Sequence, residues 1–406
     1  MTEAIEDRAG GTALPLPQAR DPRFEAGDAL RGWGALLIFL THSAFEATLM
    51  ARRNDFTPFG PVQYVLHSAE VALYMFFALS AYLLSRPFIA SLLLDRPLPR
   101  LRSYAWRRAR RILPAFWVIT AIVLLRHKLL PDDFAGDAFS GSWQRVVAIF
   151  ALLQNYFPSR TAFLVGQAWS IHVEEAFYAV LPLAALAILA CLRRRRPSVR
   201  GILLGLLAVT ILSLAFRYLT PERITYRRSP PAMLVAFTPG VALATIEVAL
   251  RGRHLPVRLL ERLAWVLVAG AVVCSVLYYY ADPGAPAFSP RSPVNRALLA
   301  ALAGTCITAA PLVWQWAGRR TWRPLRLRWV HWVGVRSYSF YLWHVAVIAE
   351  LHREALDTGT PRGGLAVFLL VALPVTLVLT AVSYRWVEAP FIRRGRRHEP
   401  TAASAA

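Results

Sequence analysis

The sequence predicts an all-α polytopic membrane protein of about ten transmembrane helices, with both termini cytoplasmic. Three observations predict it. The 406 residues are 56% hydrophobic and only 17% charged, whereas a soluble domain carries about 25% charged residues. Apolar runs of about 20 residues, the length that spans a bilayer, recur along the chain. Finally, 26 of the 46 basic residues, which give a net charge of +22 against 24 acidic ones, cluster in every second connection between those runs and in the C-terminal tail.

In order, residues 1–28 mix Pro, Gly and charge without an apolar stretch and read as a flexible cytoplasmic tail. The tail has no apolar core of the kind a signal peptide needs. The expected spans are 31–51, 63–85, 112–130, 168–190, 201–219, 232–250, 263–281, 296–317, 330–350 and 366–388. Residues 29–392 thus form one transmembrane domain, followed by a basic cytoplasmic tail, 393–406. The segment 144–157 is apolar but too short to span, and is expected as a re-entrant or interfacial helix on the outer side. No internal repeat accompanies the spans, which argues against a transporter built from inverted repeats.

Arginine placement sets the orientation. Arg86, Arg96, Arg100, Arg102, Arg107, Arg108, Arg110 and Arg111 separate spans two and three, with Asp95 the one acid among them. Arg193–Arg196 and Arg200 follow span four, and Arg251, Arg253, Arg258 and Arg262 follow span six. Arg319, Arg320, Arg323, Arg326 and Arg328 follow span eight, and Arg393, Arg394, Arg396 and Arg397 close the chain. By the positive-inside rule these face the cytoplasm. This alternation excludes a nucleic-acid footprint as the source of the charge, since a nucleic-acid binder gathers its cations on one face. Residues 219–231, an outward connection with three arginines, fit the scheme least well. Lys128 is the only lysine, a bias of coding rather than of function. Cys191, Cys274 and Cys306 lie far apart in apolar stretches and are expected as buried thiols, not metal ligands.

Titratable side chains inside spans are costly and mark functional sites by default. Arg31 and His42 are eleven residues apart, about three helical turns, so they share one face with a rise of roughly 16 Å between them. That puts Arg31 at the cytoplasmic mouth and His42 near the midplane, with Glu46 one turn on to hold the His42 ring. In the fourth span Glu174 and Glu175 point to different faces, one toward a cavity. His344 of the ninth span falls at a depth similar to His42 and Glu174, which is compatible with one hydrated chamber. Arg107, Arg108, Arg110 and Arg111 abut the third span, where guanidinium forks suit a phosphorylated ligand.

Taken together these stretches resemble the membrane acyltransferase type 3 family, which includes bacterial polysaccharide and antibiotic O-acyltransferases. The resemblance runs from about residue 28 to 393. It rests on Arg31 with ten residues before His42, Phe76-Phe77-Ala78-Leu79-Ser80, Arg108 to Arg111 with Ile112 and Pro114, Trp169-Ser170 through Glu174 to Phe177-Tyr178, Ser337-Tyr338-Ser339 to Tyr341-Leu342-Trp343-His344, and Tyr384-Arg385 to Glu388 and Pro390-Phe391. Two positions depart from the pattern: Ala81 stands where a glycine is usual, and Ala389 where a basic residue is usual. The sequence ends soon after span ten, which favours direct acyl transfer over a relay through an appended domain.

The resemblance implies transfer of an acyl group, usually acetyl, from cytoplasmic acyl-CoA to a hydroxyl of a sugar-containing acceptor, in the bacterial cytoplasmic membrane. Acyl-CoA is then a co-substrate, and no tightly bound cofactor or metal is expected. It further implies His42 as the catalytic residue, whose neutral imidazole suits a general base, and Arg31, Arg108 and Arg111 on the CoA phosphates. Glu174 is expected to position the acceptor hydroxyl or to balance the imidazolium charge, and Ser80, Trp169, Tyr338, Tyr341 and His344 to face the substrates. Tyr341 or Tyr338 is the expected donor to the oxyanion. The alternative reading is a proton-coupled transporter or exporter that uses His42, Glu46 and Glu174 as a relay.

Overall fold

A computed structural model of the chain describes residues 13–15, 24–53, 71–94, 96–129, 143–156, 166–192, 197–221, 223–281, 294–357 and 364–396. Most of the N-terminal tail, the start of the second expected span at 63–70, Arg193–Arg196 and the chain end from Arg397 lie outside the described residues. The described residues form a helical bundle: α1 (Gly27–Arg53), α2 (Val71–Leu94), α3 (Leu101–Leu129), α4 (Trp143–Phe150), α5 (Ala168–Cys191), α6 (Val199–Leu219), α7 (Ile224–Arg227), α8 (Pro230–Leu250), α9 (Val257–Tyr280), α10 (Val294–Trp316), α11 (Arg328–Val335) and α12 (Ser337–Asp357). The last helix is built from α13 (Gly364–Val367), α14 (Leu373–Ser383) and α15 (Ala389–Arg396), joined by π-helical segments Phe368–Ala372 and Tyr384–Glu388. A small antiparallel pair, β1 (Ala13–Pro15) with β2 (His254–Pro256), is the one sheet among the described residues.

Among the described residues, seven stretches are long and apolar enough to cross a membrane: α2, α5, α6, Thr225–Leu250, α9, α10 and Leu365–Arg393. The other three expected spans coincide with α1, α3 and α12, where polar and charged side chains dilute the apolar run. These three carry Arg31 and His42, then Arg108 and Arg111, then Tyr338, Tyr341 and His344.

α2 is the centre of the bundle, buried along most of its length and packed by α1, α5, α8 and α10. Phe237 of α8 stacks between Phe77 of α2 and Phe177 of α5, at 4.8 and 4.4 Å. Small residues let the backbones close up. A Cβ on Gly304 of α10 would fall 2.5 Å from the Met75 nitrogen, and one on Gly240 of α8 would fall 2.2 Å from the Ala78 carbonyl oxygen. The same Cβ would come 2.9 Å from that of Ala81. The alanine that replaces the usual glycine in α2 is therefore accommodated by a glycine on the facing helix.

Several boundaries differ from expectation. α2 continues past residue 85 to Leu94, and α3 begins at Leu101, so Arg86 and the arginines from Arg102 to Arg111 lie on helices and not in a loop. Span nine is two helices broken at Arg336, whose guanidinium lies over Trp332 at 4.3 Å and Tyr384 at 4.7 Å. In 144–157 the eight-residue α4 ends in a turn and a 3-10 segment, Gln154–Tyr156. Within the N-terminal tail, β1 pairs with β2, and Phe24 and Ala26 are buried. The cysteines are not buried thiols: Cys191 is exposed, and Cys274 and Cys306 are half-buried, because their helices present one side outward, where an apolar side chain meets lipid instead of protein.

Ion pairs tie several of the basic residues to acids on neighbouring helices. Glu247 of α8, 4% exposed, accepts from Tyr82 (2.5 Å), Arg86 (2.7 Å) and Arg251 (3.2 Å). Arg319 pairs with Glu261 at 2.5 Å.

Candidate active site

Two cavities meet inside the bundle. The larger, about 300 Å³, is lined by Arg31 of α1, Ser80 of α2, Arg108 and Arg111 of α3, Ser170, Glu174 and Tyr178 of α5, and Ser337, Tyr338 and Tyr341 of α12. The smaller, about 150 Å³, is lined by Thr41 and His42 of α1, Gln167, Trp169, Arg228 and Tyr341. Leu73 and Tyr341 border both. They are the common wall.

Helical periodicity explains the larger lining. Ser170, Glu174 and Tyr178 are four residues apart on α5, hence on one face. Glu175 turns away from this cavity, and its Oε1 is buried with no hydrogen-bond partner among the described residues. Ser80 donates to Glu174 Oε1 at 2.5 Å. Three guanidinium groups therefore share the cavity with a single carboxylate. Arg31 also donates to Asp28 at 3.3 Å, and Arg108 lies over the Tyr178 ring at 5.5 Å.

The tyrosines divide their work. The Tyr338 hydroxyl donates to the Ile112 carbonyl of α3 at 2.9 Å, which ties α12 to the arginine helix. The Tyr341 hydroxyl shares a hydrogen bond with Ser170 Oγ at 2.7 Å and lies 3.3 Å from the Gln167 carbonyl. It borders both cavities, whereas Tyr338 borders the larger one alone.

His42 and His344 come together, with ring centroids 5.2 Å apart and planes inclined at 53°. His344 is 0% exposed and lines neither cavity. Trp169 is buried, with the Arg228 guanidinium 4.9 Å from its ring centre.

Two expectations are corrected. Glu174 does not share a chamber with His42; it sits with Ser80 among the arginines, because similar depth on two helices does not fix which faces meet. Glu46 does not clamp the His42 ring. Its Oε2 lies 2.8 Å from Nδ1 of His352 on α12, and His42 has no hydrogen-bond partner among the described residues. At 100° per residue, four residues leave Glu46 rotated past His42 toward the neighbouring helix.

Gln167 and Arg228 were not singled out from the sequence, and Ser170 and Ser337 stood only within the motifs of the resemblance. Arg228 had left a trace, being one of three arginines in the outward connection where the positive-inside pattern expects few. Glu388, 1% exposed in the second π segment, accepts from Ser339 at 2.7 Å and joins the last helix to α12.

The larger cavity is thus lined by three arginines and the smaller one by His42, in a bundle of apolar helices. The acyltransferase 3 family model, described as an acyltransferase domain, matches residues 25–385, and the chain belongs to that family. It is similar to the "Putative peptidoglycan O-acetyltransferase YrhL" of Bacillus subtilis, 27% identical over 338 residues that cover 80% of this chain and 50% of the relative. It is likewise similar to the peptidoglycan O-acetyltransferase OatA of Listeria monocytogenes, 25% identical over 79% of this chain and 51% of the relative. The chain spans about half the length of the curated relatives it matches. No solved structure matches it.

Proposed function

We propose that the protein is a multi-pass O-acyltransferase of the bacterial cytoplasmic membrane. It moves an acetyl group from cytoplasmic acyl-CoA, a co-substrate, to a hydroxyl of a glycan or glycosylated acceptor. One observation carries this reading: the arginine-lined cavity and the His42 cavity share a wall at Leu73 and Tyr341, so donor and acceptor reach one point from two sides. The names of the relatives support acetyl as the group and a glycan as the acceptor.

On this reading Arg31, Arg108 and Arg111 hold the phosphates of CoA, because guanidinium forks match phosphate oxygens. Glu174 offsets part of the arginines' mutual repulsion and, with Ser80, orders the cavity. At the wall the acceptor hydroxyl lies against His42. The neutral imidazole takes its proton as the oxygen attacks the thioester carbonyl. The tetrahedral oxyanion is met by the Tyr341 hydroxyl. Collapse breaks the C–S bond, and the proton on His42 passes to the departing thiolate, so no proton is consumed. Positive-inside orientation puts the basic end, and with it the donor, at the cytoplasm.

The test is acyl-CoA-dependent transfer of label to a glycan acceptor in vesicles, wild type against His42→Ala. Transfer lost in the variant, with membrane insertion intact, supports the assignment. Turnover retained in the variant removes His42 as the base, and no transfer by the wild type to any hydroxyl acceptor removes the reading itself.

A further inference from the structure

His344 has a defined protonation pattern. Its Nδ1 lies 2.7 Å from the carbonyl oxygen of Tyr341, one turn earlier on α12. A carbonyl only accepts, so Nδ1 carries the hydrogen and, in the neutral ring, Nε2 carries the lone pair. That Nε2 is buried and has no hydrogen-bond partner among the described residues. An acceptor left so carries its full desolvation penalty. The ring is held in place regardless: Phe340 lies parallel to it at 6.3 Å and 9°, and Tyr341 flanks it at 5.2 Å.

Facing it is His42, also without a hydrogen-bond partner among the described residues. Their centroids are 5.2 Å apart and their planes 53° from parallel, which is not stacking. An N–H···N bond of about 3 Å plus two ring radii requires a centroid separation of roughly 5 Å. The two rings stand at the distance of a hydrogen bond that needs only rotation of His42 about its side-chain bonds.

We propose that His344 is a positioning residue for His42. Its Nε2 accepts the N–H of the His42 ring and so selects the tautomer whose other nitrogen presents its lone pair to the acceptor cavity. The assignment rests on the reading of His42 as the base. When His42 takes the acceptor's proton, the N–H directed at His344 becomes a charge-assisted donor, and the bond strengthens as imidazolium forms. When the proton passes to the thiolate, the pair returns to its starting tautomers, with no change in His344.

His344→Asn and His344→Gln separate this role from packing. Asparagine places an amide near the Nδ1 position and leaves nothing at Nε2; glutamine carries an acceptor oxygen to the Nε2 position. With full-length protein in nanodiscs, His344→Asn is expected to lower kcat about tenfold or more, as loss of the correct tautomer does in other histidine bases. KM for acyl-CoA stays unchanged, and His344→Gln recovers most of the loss. Nitrogen-15 NMR of labelled histidine reads the tautomer directly: His42 is a single tautomer in wild type and His344→Gln, and a mixture in His344→Asn. A single His42 tautomer in all three, or equal kcat in both variants, overturns the proposal. Because the NMR measurement needs no turnover, failure of acyl transfer in the wild type counts against the acyltransferase reading alone.

Discussion

Ser80 Oγ donates to Glu174 Oε1 at 2.5 Å, which joins α2 to α5 inside a cavity that also holds three arginines. A hydrogen bond to a charged group contributes about 1.5–3 kcal/mol. Ser80→Ala is therefore expected to lower the midpoint of thermal unfolding in detergent and to weaken donor binding only through disorder of Glu174. Glu174→Gln keeps the acceptor oxygen and should unfold nearer the wild-type temperature. Equal midpoints for Ser80→Ala and wild type would show that the bond contributes nothing.

Arg108 and Arg111 enter one cavity from consecutive turns of α3. If they meet phosphate, Arg108→Ala with Arg111→Ala raises KM for acyl-CoA about tenfold or more for each guanidinium removed. The dependence of that KM on ionic strength flattens as well, because the screened charges are gone. Kinetics at low and high salt give both quantities. A salt slope unchanged by the double substitution would move the phosphates elsewhere.

Gly240 is where α8 touches α2, and its missing Cβ would collide with the Ala78 carbonyl oxygen at 2.2 Å. Gly240→Ala is expected to destabilise by about 1–3 kcal/mol or more through overpacking. Removing the Ala81 methyl in the same chain should recover little, because the tighter obstacle is backbone. Full rescue by Ala81→Gly would identify the methyl approach, 2.9 Å in this geometry, as the one that matters.

The positions of helices were legible because apolar runs of span length stand out against arginine-rich connections. The shared face of Arg31 and His42, and the divergence of Glu174 from Glu175, followed from helical pitch alone. What pitch does not contain is the neighbour relation between helices. Depth along an axis is compatible with Glu174 and His42 in one chamber, but the lateral arrangement puts Glu174 beside Ser80, with the arginines. Glu46 shows the same limit: its sequence neighbour is His42 and its spatial partner is His352, from a helix near the other end of the chain. The break at Arg336 was hidden because the residues on either side are apolar enough to read as one span.

The wall shared by the two cavities is two side chains, Leu73 and Tyr341. On the proposed reading this thinness changes what has to cross the bilayer. A coenzyme bearing several phosphates would meet a barrier of many kcal/mol in hydrocarbon, and here it never leaves its own side. Only an uncharged acyl carbon passes, over a distance of one bond made and one broken. The membrane stays sealed while its far face is modified, and no transport cycle is needed.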